Sequence, residues 1–234
     1  MEKAVIVGAS SGIGREMALW FARRGWRVAV AGRREAMLQD VVHEYPDNML
    51  YSVVDVTRTE ALPEALDRLA ERLGGMDLLV VSAGTGFINP QLDPEPERAT
   101  VATNVEAFTA LAVWGYGYFK KQGRGRLAAI TSVGGLVAEG SAPAYPASKA
   151  YQILYLDSLR KKARKDGLAC TITELRPGSV DTDMMKGEGH FWISSPAAAA
   201  DQACRAIVAG RKLRYISRRW GLIGFLLRAA KLFS

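Results

Sequence analysis

Short, nearly continuous apolar runs alternate with segments whose apolar positions recur every three or four residues, and the alternation covers almost the whole chain. A run of four to eight apolar residues is how a strand reads when both of its faces are buried, as in a parallel sheet. Such runs predict strands near Ala4–Val7, Arg27–Ala31, Leu50–Asp55, Leu78–Ser82, Arg126–Thr131, Ala169–Leu175 and Leu213–Ile216. Helical spacing predicts helices near Gly12–Arg24, Glu35–Glu44, Thr59–Leu73, Glu95–Lys121, Tyr145–Lys165 and Pro196–Ala209. Gly25 and Gly74-Gly75 suit helix ends, and Pro196 suits a first helical turn. Strands and helices in alternation, joined by right-handed crossovers, imply an α/β fold: a doubly wound parallel sheet of about seven strands with helices on both faces. Pro90–Pro96 and Pro177–Ser195 are the most loop-like segments, and no internal repeat interrupts the pattern.

Composition narrows this picture without redirecting it. The chain has 234 residues, 49% of them hydrophobic, enough for one substantial core. Residues 1–217 read as a single Rossmann-type domain and 218–234 as an amphipathic tail. Lys and Arg number 31 against 24 Asp and Glu, a net charge of +7. The basic residues are dispersed until the tail and no aromatic-rich motif accompanies them, which argues against nucleic acid and for an anionic cofactor or membrane surface. Cys170 and Cys204 have neither metal-ligand nor disulfide-framework spacing, and His43 and His190 have no partner pattern, so no metal is expected. Free thiols fit a reducing cytoplasm. Met1-Glu2-Lys3 runs directly into the first strand, leaving no room for a signal peptide, and no apolar run reaches the roughly 20 residues that span a bilayer.

Chemistry enters at three places. Gly8-Ala9-Ser10-Ser11-Gly12-Ile13-Gly14 follows the first strand and opens the first helix. Glycines there permit a sharp turn and close approach to a pyrophosphate, whose charge the helix N-terminus favours. The second strand ends Ala31-Gly32-Arg33-Arg34, with two guanidiniums where an NAD-selective site carries an acid. Guanidiniums suit a ribose 2′-phosphate, with Ser10 and Ser11 as hydroxyl partners, so NADP(H) is expected over NAD(H). The alternative is that Arg33 and Arg34 are solvated charges at a helix start. Finally, Tyr145 lies thirteen residues after Ser132, and Lys149 is one helical turn beyond Tyr145. A cation on the same helix face favours phenolate over phenol, bringing the phenol from about 10 towards neutrality and making it a usable acid or base.

In this order, the Gly8–Gly14 turn, Asp55-Val56, Ala83-Gly84, Asn104, Ser132, Tyr145 with Lys149, and Pro177-Gly178-Ser179-Val180-Asp181-Thr182 resemble the short-chain dehydrogenase/reductase family, in its compact single-domain branch. The likeness covers roughly residues 1–216. It implies that Asp55 and Val56 meet the adenine, and that Ala83 and Gly84 line the cofactor near its nicotinamide ribose. It further implies that Lys149 binds the ribose hydroxyls, that Pro177, Gly178, Val180 and Thr182 hold the carboxamide end, and that Asn104 supports a water relaying protons to Lys149. Ser132 and Tyr145 would hold a carbonyl oxygen while hydride is delivered to its carbon. Two departures stand out: Val7 replaces the family's frequent Thr, and Val81-Ser82 replaces a paired Asn. The resemblance also implies a homodimer or homotetramer.

The substrate side is expected in a lid over Asp181–Ser195, with Met184, Phe191 and Trp192, and Phe87 beyond the fourth strand. These apolar side chains suit a lipophilic carbonyl compound. The tail, Trp220–Phe233, combines a wide apolar face with basic residues, which suits an interfacial membrane helix; the alternatives are its own sheet or another subunit. The expected activity is NADP(H)-dependent interconversion of a ketone or aldehyde and an alcohol. Reduction of a 3-oxoacyl thioester and non-catalytic NADP(H) sensing are the alternatives.

Overall fold

The computed structural model describes residues 1–185 and 191–230, the last six of these as helix backbone only. Seven parallel strands stand in the order β3-β2-β1-β4-β5-β6-β7. They are β1 (Lys3–Val7), β2 (Arg27–Gly32), β3 (Met49–Val53), β4 (Leu78–Val81), β5 (Arg124–Ile130), β6 (Ala169–Pro177) and β7 (Leu213–Ile216). The helices are α1 (Gly12–Ala22), α2 (Glu35–His43), α3 (Leu62–Leu73), α4 (Pro94–Val101), α5 (Phe108–Gln122), α6 (Ala144–Lys165), α7 (Pro196–Val208) and α8 (Arg219–Ala230).

Period-two alternation along buried strands explains the two layers. Ala4, Ile6, Val28, Val30, Leu78 and Val80 face α1, α2 and α7. Their neighbours Val5, Val7, Ala29, Ala31, Leu79 and Val81 face α3, α5 and α6. Both faces are thus apolar, as a doubly covered sheet requires. The helices answer with one-sided stripes: α3 buries Leu62, Leu66, Leu69 and Leu73, each worth roughly 1.5–3 kcal/mol on burial, and ends at Gly74 in the left-handed region (φ 80°). Strand order reverses direction between β1 and β4, so the crevice for a ligand lies beyond the C-terminal ends of these two strands.

Two expectations are revised. The single helix expected over Glu95–Lys121 is α4 and α5 joined by a π turn, Ala102–Ala107, which buries Asn104 completely. A π turn widens the helix by one residue and re-aims side chains, commonly at functional positions. The second revision concerns the tail. Trp220 is only 7% exposed, so it is not available as a membrane-interface residue. Its indole lies flat against Gly178, where a Cβ would overlap the ring. α8 packs on β7 and on the turn Val133–Leu136, with Gly221 and Gly224 seated over the Tyr215 ring. Tyr215 is held in turn by buried Arg176, whose Nη1 donates to its hydroxyl at 2.7 Å while Nε donates to Glu174 at 2.7 Å. Side chains beyond Gly224, among them the tail's basic Arg228 and Lys231, lie outside the described residues. No described helix is long and apolar enough to cross a membrane.

Candidate active site

The glycine turn is built by close backbone approach. Gly8 has φ 90°, which L side chains rarely adopt, and a Cβ there would overlap the backbone of Ala83. A Cβ on Gly14 would strike the Gly8 carbonyl and come within 2.7 Å of the Ser82 hydroxyl. The turn therefore fits tightly against the end of β4, and Gly12 faces Thr182 across the crevice. Arg34 folds back over this turn: its Nη2 donates to the Ser10 and Ser11 hydroxyls at 2.8 and 2.6 Å, and its Nε donates to Ser10 at 3.1 Å. Arg33 is exposed and stands apart from that cluster; its charge helps to hold Asp55 down. Asp55 caps its own turn by accepting from the Thr57 amide and hydroxyl at 3.0 and 2.7 Å, which is the chief reason its carboxyl sits below the usual range. Beside it Val53, Asp55, Arg58 and Leu62 line a cleft of about 340 Å³. Val56, the next residue, is buried.

These residues fit a dinucleotide. A glycine cradle that any Cβ would fill opens a helix N-terminus, and a guanidinium held by two hydroxyls stands beside it.

The Tyr145 side of the crevice is set by α6. Glu97 on α4 accepts from the Ala144 amide at 3.0 Å, capping the helix one residue before Tyr145. The Tyr145 ring lies on Gly86, where a Cβ would come within 2.6 Å of it. Ser132, two residues past β5, is extended, and its hydroxyl accepts from the Gly134 amide at 3.0 Å. Burial pushes the Tyr145 phenol up, against the pull of the Ser132 hydroxyl, which favours the phenolate. The expected depression by Lys149 does not appear: burial and the Ser132 hydroxyl are what act on the phenol. The ammonium is 5.8 Å from the ring centroid, and burial pushes Lys149 itself down to about 8.

Lys149 is 4% exposed and has no carboxylate partner among the described residues. Its Nζ donates to the Ile130 carbonyl at 3.2 Å and to Gln152 Oε1 at 3.1 Å. A Cβ on Gly84 would sit 3.5 Å from Lys149 Nζ and 3.4 Å from Asn104 Oδ1, so these three residues share one wall of the crevice. The Asn104 side chain clamps Thr85, accepting from its amide at 2.9 Å and donating to its carbonyl at 2.7 Å. The Asn104 main-chain carbonyl accepts from Gln152 Nε2 at 2.8 Å. Gln152 thus links the Lys149 ammonium to the Asn104 main-chain carbonyl.

The loop after β6 is pinned at its base. The Ser194 amide donates to the Ser179 carbonyl and the Asp181 amide to the Ser194 carbonyl, both at 3.0 Å, and Val180 bridges Ser194. Phe191 and Trp192 gather on Trp220, with ring centroids 4.9 and 5.8 Å from it. Phe87 and Met184, exposed to a similar degree at 41% and 43%, join no such cluster among the described residues. Gly187, Gly189 and His190 lie outside the described residues. Sequence reasoning missed Gly86, Glu97, Gln152 and the packing of Trp220 on Gly178. Only Gln152 carried a local signal: it lies one turn beyond Lys149, at a position buried by the helical stripe.

Comparison with known proteins agrees with this arrangement. A family model described as short chain dehydrogenase matches residues 2–191. An uncharacterized oxidoreductase of Myxococcus xanthus is 35% identical over 186 residues, covering 77% of this chain and 73% of that protein. Among solved structures, a 3-ketoacyl-ACP reductase from Sinorhizobium meliloti 1021 superposes with a TM-score of 0.79 at 22% identity, covering 91% of this chain and 96% of its own. A 3-ketoacyl-(acyl-carrier-protein) reductase from Brucella melitensis, complexed with NADH, gives 0.81 at 22% identity over 91% of this chain and 94% of its own. With the glycine cradle, the Ser132–Tyr145–Lys149 grouping and these matches in agreement, the chain belongs to the short-chain dehydrogenase/reductase family of oxidoreductases.

Proposed function

We propose that this protein interconverts a ketone or aldehyde and an alcohol with NADP(H), acting on a lipophilic small molecule. The observation that carries the reading is the convergence of Tyr145, Ser132 and Lys149 on the crevice that the glycine cradle opens. Gly8, Gly12 and Gly14 would admit the pyrophosphate, Arg34 with Ser10 and Ser11 a ribose 2′-phosphate, and Lys149 the nicotinamide ribose. When bound, the nicotinamide supplies or accepts hydride at C4.

The remaining steps belong to the chain's own side chains. Ser132 and Tyr145 hold the carbonyl oxygen, where negative charge grows, and they stabilise it more in the transition state than in the ground state. Tyr145, whose phenol burial keeps protonated, gives its proton to that oxygen; in the reverse direction its phenolate takes the alcohol proton. Lys149 holds the adjoining ribose and supplies positive charge behind the phenol. Phe191, Trp192 and Trp220 form the apolar wall that favours a lipophilic substrate.

NADPH consumption against a panel of ketones, aldehydes and one 3-oxoacyl thioester tests this. Turnover of apolar ketones with NADPH supports the reading. Turnover of the thioester alone favours the activity named for the two solved neighbours, and binding of NADPH with no turnover of any member leaves cofactor sensing.

We also read the protein as a homo-oligomer joined through α5 and α6, where Val113 and Leu154 are 56% and 69% exposed beside a shallow apolar cleft lined by Tyr151 and Tyr155. A monomeric mass by light scattering at micromolar concentration contradicts that.

A further inference from the structure

Gln152 is 1% exposed and lies one helical turn beyond Lys149 on α6. Its amide orientation follows from its two partners. An ammonium can only donate, so Oε1 faces Lys149 at 3.1 Å; a carbonyl can only accept, so Nε2 faces the Asn104 carbonyl at 2.8 Å. One side chain therefore ties the ammonium on α6 to the π turn between α4 and α5. The groups facing Lys149 are Tyr145 and Gln152 on its own helix, Asn104 on the π turn and the Ile130 carbonyl on β5; no carboxylate reaches it among the described residues.

We propose that Gln152 is the positioning residue of the Lys149 ammonium, its neutral amide standing between Lys149 and the Asn104 main-chain carbonyl. For its role in turnover this rests on the oxidoreductase reading; for the placement of Lys149 it does not. A primary amide neither gives nor takes a proton near neutral pH. Gln152 therefore holds the ammonium in place without itself relaying a proton. The amide also sets how readily Lys149 stays charged, because it is one of only two acceptors that the ammonium has among the described residues.

Two variants of nearly equal size separate this from a packing role. Gln152→Glu puts a carboxylate against the ammonium, and Gln152→Met removes the acceptor while keeping the bulk. The readout is NMR titration of ¹³C-labelled lysine in the full chain without cofactor, with the Lys149 signal assigned by its loss in Lys149→Arg. Lys149 is expected to titrate well below an ordinary lysine in the wild type. Its midpoint should rise by about one to three pH units in Gln152→Glu and fall further in Gln152→Met. A midpoint unchanged in both variants overturns the proposal. Should Gln152→Glu fail to melt cooperatively, the wild type and Gln152→Met decide alone, and no downward movement overturns it. The pH profile of kcat/KM for ketone reduction should move in the same direction as each midpoint. If the midpoints move as expected while the wild type reduces nothing, the positioning role stands and the oxidoreductase reading falls.

Discussion

The cofactor side and the tail side of the crevice stand on the same C-terminal sheet edge but are assembled differently. On the cofactor side part of the assembly is local, Gly8 to Gly14 within one turn and Arg34 to Ser10 and Ser11 across a single β-α-β unit, and that turn is then set backbone to backbone against Ala83 at the end of β4. On the tail side, Trp220 meets Gly178 some forty residues away in sequence, and α8 is seated by the chain from Glu174 through Arg176 and Tyr215 to Gly224. The first side is specified by backbone conformation and the second by side-chain volume. They should accordingly fail in different ways.

The largest effect is expected where the two sides meet. Tyr145→Phe removes the proposed proton donor and should lower kcat by about 10²–10⁴, with NADPH affinity measured by fluorescence nearly unchanged. Next, Trp220→Ala empties a buried site and should cost about 3–5 kcal/mol in urea unfolding. It should leave the NADPH-to-NADH preference intact; a lost preference would mean that the two sides are coupled.

Lys149→Met tests the cost of burying a charge. The folded midpoint of Lys149 is about 8, below its ordinary 10.5, so the unfolded chain binds more protons between those values. Wild-type stability should therefore rise relative to Lys149→Met as pH climbs from 8 to 10.5, by about 3 kcal/mol at most. A flat difference over that window contradicts the burial argument. The smallest effect is at Arg34→Ala, where loss of charge-assisted hydrogen bonds, about 1.5–3 kcal/mol, should weaken NADPH about 10- to 100-fold while leaving NADH within about twofold.

The same contrast explains what could be read in advance. All seven strands were legible because a doubly covered sheet writes itself as continuous apolar runs. The glycine turn and the Tyr145–Lys149 pair were legible because each is a local pattern with one geometric reading. The π turn at Asn104 was not, since an extra residue in a helix leaves the apolar period almost intact. The seating of the tail was not legible: Gly221 and Gly224 lie over the Tyr215 ring while Leu222 is 66% exposed, and a helical pattern alone does not say which face will pack. Gly221 and Gly224 carried the answer, as flat seats for an aromatic ring, but only the fold brings that ring beneath them. Gln152 lay hidden because a polar residue in a buried stripe reads as an exception until its two partners are known.

The central claim, that this crevice performs hydride transfer to a carbonyl carbon, is tested most directly by isotope transfer. The protein is incubated with NADPH deuterated at the transferring C4 position and the most reactive ketone of the panel, and the alcohol is examined by mass spectrometry and NMR. The account predicts one deuterium, bound to the carbinol carbon, in the wild-type product. Alcohol formed without deuterium at that carbon, using either C4 epimer of the labelled cofactor, would contradict it.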